Sequence, residues 1–138
     1  MDRKNETNFK NSICEDFQNQ VSQVLVRHKS VLDIMTKLDE YNARINRAIA
    51  KSVTSCGCIS ISANKQEFGN VSLEDMYSKA KAHVGGNVCE SCKDVIEEEM
   101  GAYLFYLASL GNTLGIDLNS VINKEYDRIK TLGIYSLK

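Results

Sequence analysis

Apolar residues recur at three- and four-residue spacings through most of the chain, and this is the pattern of amphipathic helices. The first predicted helix covers about residues 12–28 and begins at a capping box formed by Ser12 and Glu15. A second, longer helix is predicted to begin after a cap at Ser30 and to end near residues 54–58. Proline is absent from the chain, which further favours helices.

The helical pattern breaks over residues 59–71, where Ile59 and Ile61 alternate with polar residues and the Asn, Gly and Ser content rises. We expect an extended or irregular segment here. Ser72 is a suitable cap for a short third helix, which Gly85-Gly86 would end. The pattern therefore predicts an insertion between two larger helical elements.

The longest apolar-periodic stretch follows the insertion, with Asn87 as its expected cap and Gly115 at its expected end. A final helix is predicted to begin after Asp117 and to stop at Gly133. The core positions expected in the longest stretch are Val95, Leu104, Leu107, Ala108 and Leu110.

These elements predict an all-α fold, an antiparallel bundle of four main helices in a single domain spanning residues 1–138. Residues 1–11 are expected to form a flexible N-terminus. A cysteine-bounded insertion, residues 56–92, would lie between the second and the penultimate long helix. With 17 basic and 18 acidic residues the net charge is -1, so neither nucleic acid nor an anionic membrane is an expected partner. No stretch has the length of a membrane span or a secretory signal, and we expect a cytoplasmic protein.

Four of the five cysteines fall into two close pairs. Cys56 and Cys58 lie at the end of the second predicted helix, and Cys89 and Cys92 lie at the start of the next long one. The cytoplasm keeps thiols reduced, so these cysteines are not expected to form disulfides. Their spacing instead favours a metal site, and a closed structural zinc site in particular. An iron–sulfur cluster, free or redox-active thiols, and replacement of one sulfur by His83 remain alternatives.

Such a metal would join the end of one helix to the start of its antiparallel neighbour. The fifth cysteine, Cys14, lies alone on the first helix and is interpreted as a small core residue. His28 follows the first helix among basic residues and is interpreted as a surface residue.

Residues 97–108 (EEEMGAYLFYLA) and 112–118 (NTLGIDL) carry a second pattern. It resembles the MazG-like, all-helical nucleotide pyrophosphohydrolases, whose helix carries E-x-x-D within E-E-L-G-D-x-L-x-Y-L before a turn resembling L-G-I-D-L. The resemblance covers roughly residues 30–132. It implies a MazG-like bundle, a homo-oligomer such as a dimer, and acidic residues that hold magnesium against a nucleotide's phosphates.

The family's acidic ligands carry over only in part. Glu99 matches the family's Glu, whereas Ala102 stands where its Asp should be. On the earlier helix Asp39 and Glu40 match the paired Glu positions, and Ala43 replaces the third acid. Magnesium requires near-octahedral oxygen coordination, so the loss of two carboxylates predicts a degenerate site.

Three hypotheses follow. The first is a MazG-like protein with a structural zinc site and a degenerate magnesium and nucleotide site, in a binding or regulatory role. The second is an active, magnesium-dependent nucleoside triphosphate pyrophosphohydrolase in which Glu98 and Glu99 are catalytic, and the rearranged ligands are Asp39, Glu40 and Glu99, with Asp94 as a further candidate. The third is a thiol or metal redox sensor built on the four cysteines.

Overall fold

The computed structural model describes residues 12–138 and is mainly helical. Its elements are α1 (Ile13–Val24), α2 (Val31–Lys51), β1 (Ile59–Ile61), α3 (Leu73–Lys79), β2 (Val84–Gly86), α4 (Glu90–Leu114) and α5 (Leu118–Leu132). A π-helical turn, Ser52–Cys56, continues α2, and a 3₁₀ turn, Gly133–Ser136, follows α5. The expected flexible N-terminus, residues 1–11, lies outside the described residues. Within residues 12–138 no helix combines the length and the apolar character needed to cross a membrane.

The predicted helix starts are confirmed where a side chain caps its own helix. Ser12 accepts a hydrogen bond from the backbone N–H of Glu15 at 3.2 Å, and its own N–H donates to the Glu15 carboxylate at 3.2 Å. Ser30, Ser72 and Asp117 likewise accept hydrogen bonds from the first turns of α2, α3 and α5. Each cap satisfies an N–H that has no partner within its helix.

Two predicted helix ends are wrong. The first helix ends at Val24, four residues early, because Leu25 is extended and the chain turns at His28, whose φ is 55°. His28 is exposed, as expected. The third helix ends at Lys79, well before Gly85-Gly86, because these two glycines pair with β1 in a two-stranded antiparallel sheet.

The helices pack around a small core. α2 lies along α4, while α1 packs on α4 and on the first turn of α5. Val21, Ile34 and Ala108 are buried where these helices meet. The buried side chain of Gln18 donates to the carbonyl of Ile116 at 2.8 Å and accepts from the N–H of Leu118 at 2.9 Å. This side chain therefore joins α1 to the turn between α4 and α5.

The expected core of α4 is only partly buried. Ala108 has no exposed surface, but Val95 and Leu104 are each 49% exposed, so their assignment to the core of this chain is wrong. The physical reason is that α4 is apolar on more sides than α1 and α2 cover. Cys14 is half-buried, and burial, with the nearby charges of Asp117 and Glu15, raises the pKa of its thiol.

Candidate metal centre

The first cysteine pair lies where α2 opens into its π-helical turn. A π turn widens the helix by one residue and is frequent at functional sites. At the end of this turn Gly57 adopts a left-handed φ of 77°, and its N–H donates to the carbonyl of Ser52 at 2.9 Å. The chain therefore reverses between Cys56 and Cys58, and both cysteines remain at the same end of α2.

The two-stranded sheet brings the second pair to the first. Ile59 lies opposite Gly86, and Ile61 lies opposite Val84. Because the strands are antiparallel, the residues that precede β1 lie beside those that follow β2. The sheet thus places Cys58 next to the segment leading into α4, and it closes the base of the insertion.

The second pair forms the beginning of α4. Asn87 is not the N-cap; the cap is Cys89, whose sulfur accepts from the N–H of Cys92 at 3.5 Å. This cap could not be predicted, because sulfur is a weak acceptor and cysteine is not a preferred N-cap residue. The cap places the two sulfurs on one side of the first helical turn.

The four sulfurs form one cluster. Those of Cys56, Cys58, Cys89 and Cys92 all lie within 4.8 Å of one another, with 3.7 Å between Cys56 and Cys89. Among residues 12–138 this is the only group of three or more His, Cys, Asp or Glu ligand atoms close enough to hold one metal ion. His83 precedes β2 and is not part of this cluster. The predicted convergence of the cysteines is confirmed, and the cluster can hold a metal ion.

The sulfurs influence one another's protonation. The pKa of Cys89 is lowered to about 7, chiefly by the backbone N–H of Cys92 and then by the neighbouring thiols. The hydrogen bond with Ser52 lowers the pKa of Cys92. This effect is outweighed by the sulfur of Cys89, by burial and by the other two thiols, which together raise the pKa of Cys92 to about 12. A bound cation would neutralise the additional thiolates, and the neighbouring sulfurs would then no longer oppose the deprotonation of Cys92.

Ser52 is a residue of the site that sequence reasoning missed. It is buried, its hydroxyl donates to the carbonyl of Ala48 at 3.0 Å, and its own carbonyl accepts from the thiol of Cys58 at 3.7 Å. These contacts hold the π turn against the cluster. A small polar residue four positions before the first cysteine was the available signal, but serine is too common near helix ends to be diagnostic.

The predicted acidic residues are arranged differently. Glu99 is largely buried and accepts from Arg44 at 2.8 Å, which links α4 to α2. Glu40 pairs with Lys37 at 2.8 Å and with Arg44 at 3.7 Å. Asp39 and Glu98 lie at exposed positions on α2 and α4. The arrangement brings Glu40 and Glu99 to one guanidinium, and these four carboxylates form no three-ligand group.

The ion pairs affect both partners' protonation. The hydrogen bond from Lys37 lowers the pKa of Glu40, and the bond to Glu99 raises the pKa of Arg44. Arg44 also stacks over the ring of Tyr41 at 5.3 Å, which restricts its guanidinium. A cation belonging to the chain therefore neutralises Glu99. Sequence reasoning missed Arg44, although its position four residues after Glu40 was a weak signal.

A groove of about 600 Å³ runs between α2 and α4 from this ion pair to the cysteine cluster. Its basic residues are Arg44, Arg47 and Lys51 of α2, and Glu99 and Cys92 line the opposite wall. No protein-family model, curated protein or solved structure matches this chain. The chemistry of these residues is therefore what points to a function.

Proposed function

We propose that the four cysteines bind one structural zinc ion, which joins the end of α2 to the start of α4. The observation that carries the proposal is the convergence of four sulfurs within 4.8 Å from two segments far apart in sequence. Zinc–sulfur bonds of about 2.3 Å in a tetrahedron place the sulfurs about 3.8 Å apart. The 3.7 Å between Cys56 and Cys89 agrees with this spacing. A [4Fe–4S] cluster binds each cysteine to a different iron atom and needs a wider arrangement.

The role of this zinc is structural, because four protein ligands leave no position for a substrate. Its binding free energy becomes available only when both cysteine pairs are in place, and it therefore stabilises the contact between α2 and α4. A reducing compartment such as the cytoplasm keeps the thiols free for the metal.

Measuring zinc in the purified protein tests this proposal. We expect one zinc per chain in the wild type and in Cys14→Ser, whose cysteine lies outside the cluster. Cys58→Ser and Cys92→Ser should retain little zinc, and chelation should destabilise the wild type toward urea. Wild-type protein without zinc, or equal zinc in all three variants, would refute the proposal.

We further propose that the chain is a divergent MazG-like protein whose acidic site serves a binding or regulatory role. The support is the pairing of Glu99 with Arg44, together with alanine at positions 43 and 102. A guanidinium bonded to Glu99 competes with any magnesium ion for the same carboxylate. The site then lacks the cluster of anionic oxygens on which magnesium-dependent hydrolysis depends.

A pyrophosphate-release assay across nucleoside triphosphates with magnesium separates this role from the alternative, an active pyrophosphohydrolase. The proposed role predicts no release above a protein-free control. The alternative predicts release that Glu98→Ala or Glu99→Ala abolishes. Glu97→Ala is the control, because the ion pair of Glu97 within residues 12–138 is with the exposed Lys93 of the same helix. Release with that pattern, in folded variants that retain zinc, would establish the enzyme.

A thiol sensor is a second candidate function. The observation that favours it is the exposed position of Cys56, with its sulfur 3.7 Å from that of Cys89. Oxidation of this pair to a disulfide by peroxide would remove two ligands and release the zinc. Titrating the zinc-loaded protein with peroxide separates the two roles. A structural site retains its metal under mild treatment, whereas a sensor releases it, and a thiol reductant restores binding.

A further inference from the structure

The groove between α2 and α4 holds more positive charge than its one carboxylate neutralises. Its lining side chains include three cations, Arg44, Arg47 and Lys51, and the carboxylate of Glu99. Arg44 and Glu99 pair with each other at 2.8 Å. None of the ion pairs within residues 12–138 involves Arg47 or Lys51. Two cations therefore lie in the groove without a carboxylate partner from this part of the chain.

Helical geometry places these two cations in a row that leads to the cysteine cluster. Arg47 and Lys51 are four residues apart, so they lie one above the other on the same face of α2. In the π turn that follows, residues five positions apart are stacked in the same way, which continues the row to Cys56. Cys56 and Cys92 line the same groove. At about 1.5 Å per residue, Lys51 lies about 8 Å along the helix from Cys56, and Arg47 lies about 14 Å from it.

The zinc centre proposed above would be negatively charged. Four thiolates and one Zn²⁺ ion have a net charge of −2, and three of the four cysteines are half-buried. Removing such a charge from water costs free energy unless an opposite charge nearby compensates it. Lys51 and Arg47 supply two positive charges at the end of the groove that the cysteines line. The charges of the groove and of the metal centre would then balance.

We propose that Lys51, assisted by Arg47, is the counter-charge of the zinc centre and sets both its zinc affinity and its reactivity. The inference rests on the proposed zinc site, since the cluster carries less negative charge without the metal. A positive charge beside thiolates favours their ionised, metal-binding form and makes their sulfurs less nucleophilic. The two cations therefore make the centre more inert, which favours a structural role over oxidative release.

Competition with a chromophoric chelator at an ionic strength of about 10 mM tests the charge of Lys51, whose side chain is exposed. Lys51→Gln should bind zinc about three- to sixfold more weakly than the wild type, as expected for a unit charge about 8 Å from a charge of −2 in water. Lys51→Glu changes the charge by two units and should bind about ten- to thirtyfold more weakly. Arg47→Gln, being farther away, should lose about twofold. At about 1 M salt the Debye length falls to about 3 Å, and these differences should disappear.

Lys37→Gln is the matched control, because it removes the same charge from the same helix about 28 Å from Cys56. Its zinc affinity should stay within about 1.5-fold of the wild type. A second measurement is needed because Lys51 also lies in the last turn of α2, where a cation stabilises the helix end. Iodoacetamide, a neutral reagent, alkylates thiolates and releases the zinc. Release from the zinc-saturated Lys51→Glu protein should be about three- to fivefold faster than from the wild type.

The outcomes separate this inference from the zinc site itself. Wild-type protein without zinc would refute both. One zinc per chain, with Lys51→Gln and Lys51→Glu binding it as tightly as Lys37→Gln does, would overturn the counter-charge alone. Weaker binding without faster alkylation would mean that Lys51 only stabilises the helix end, and it would overturn the inference as well. So would a loss of affinity that persists at about 1 M salt.

Discussion

Gly86→Ala should damage the cysteine cluster more than Gly57→Ala does, although both glycines have nearly the same backbone conformation. Their φ angles are 79° and 77°, a region that residues with a Cβ rarely adopt. A Cβ on Gly86 would lie 2.6 Å from the carbonyl oxygen of Cys58, whereas a Cβ on Gly57 would meet nothing within 4 Å. The pair therefore separates backbone strain from a direct clash with a cysteine of the cluster.

The expected magnitudes follow from these contacts. Left-handed strain should cost each variant about 1–2 kcal/mol of unfolding free energy. At Gly86 the clash is with backbone, which cannot rotate away as a side chain would, and relieving it should add about 1–3 kcal/mol. We expect a total of about 2–5 kcal/mol for Gly86→Ala. Zinc affinity should fall as well, because moving the Cys58 carbonyl also moves its sulfur.

Urea unfolding at saturating zinc measures the stability loss, and competition with a chromophoric chelator measures zinc affinity. Gly57→Ala serves as the control for strain alone. Equal losses in the two variants, or a Gly86→Ala protein with wild-type zinc affinity, would refute the placement of β2 against Cys58.

Three further predictions concern the packing and hydrogen bonding that hold the helices together. Ile34→Ala should lower the free energy of unfolding by about 2–5 kcal/mol in urea, because Ile34 is fully buried. Gln18→Ala should cost about 2–4 kcal/mol in the same assay, because it leaves two backbone groups of the α4–α5 turn without partners. A hydrogen bond from Tyr135 lowers the pKa of Glu74, so the stabilisation is present above the ordinary pKa of glutamate and is lost as pH falls through the lowered value. The stability difference between wild type and Tyr135→Phe should therefore disappear in acid, and a difference that persists in acid would contradict this hydrogen bond. A loss below about 1 kcal/mol for Ile34→Ala or Gln18→Ala would contradict the burial or the hydrogen bonds described for that residue.

The sequence predicted the features that depend on local interactions. The caps at Ser12 and Asp117 could be predicted because the capping residue and the N–H that it binds are within three positions. The convergence of the cysteines could be predicted because each pair lies at a helix end and the two ends must meet. Ile59 and Ile61 were also expected in an extended segment, and they form β1.

The features that could not be predicted from the sequence depend on contacts between distant segments of the chain. Glycine is common at helix ends, but Gly85 and Gly86 pair with residues about 26 positions earlier and therefore lie in a strand. The bond between Arg44 and Glu99 depends on how α2 and α4 are rotated against each other, which helical periodicity does not specify. The 49% exposure of Leu104 could not be predicted, because helical spacing gives an apolar residue the same pattern whether or not another helix packs over it.

X-ray absorption at the zinc edge of the purified protein shows whether the four sulfurs bind one zinc ion. Zinc held by the four cysteines should show a single shell of four sulfur neighbours at about 2.3 Å. A shell of nitrogen or oxygen neighbours at about 2.0–2.1 Å, as binding by His83 or water would give, would contradict it.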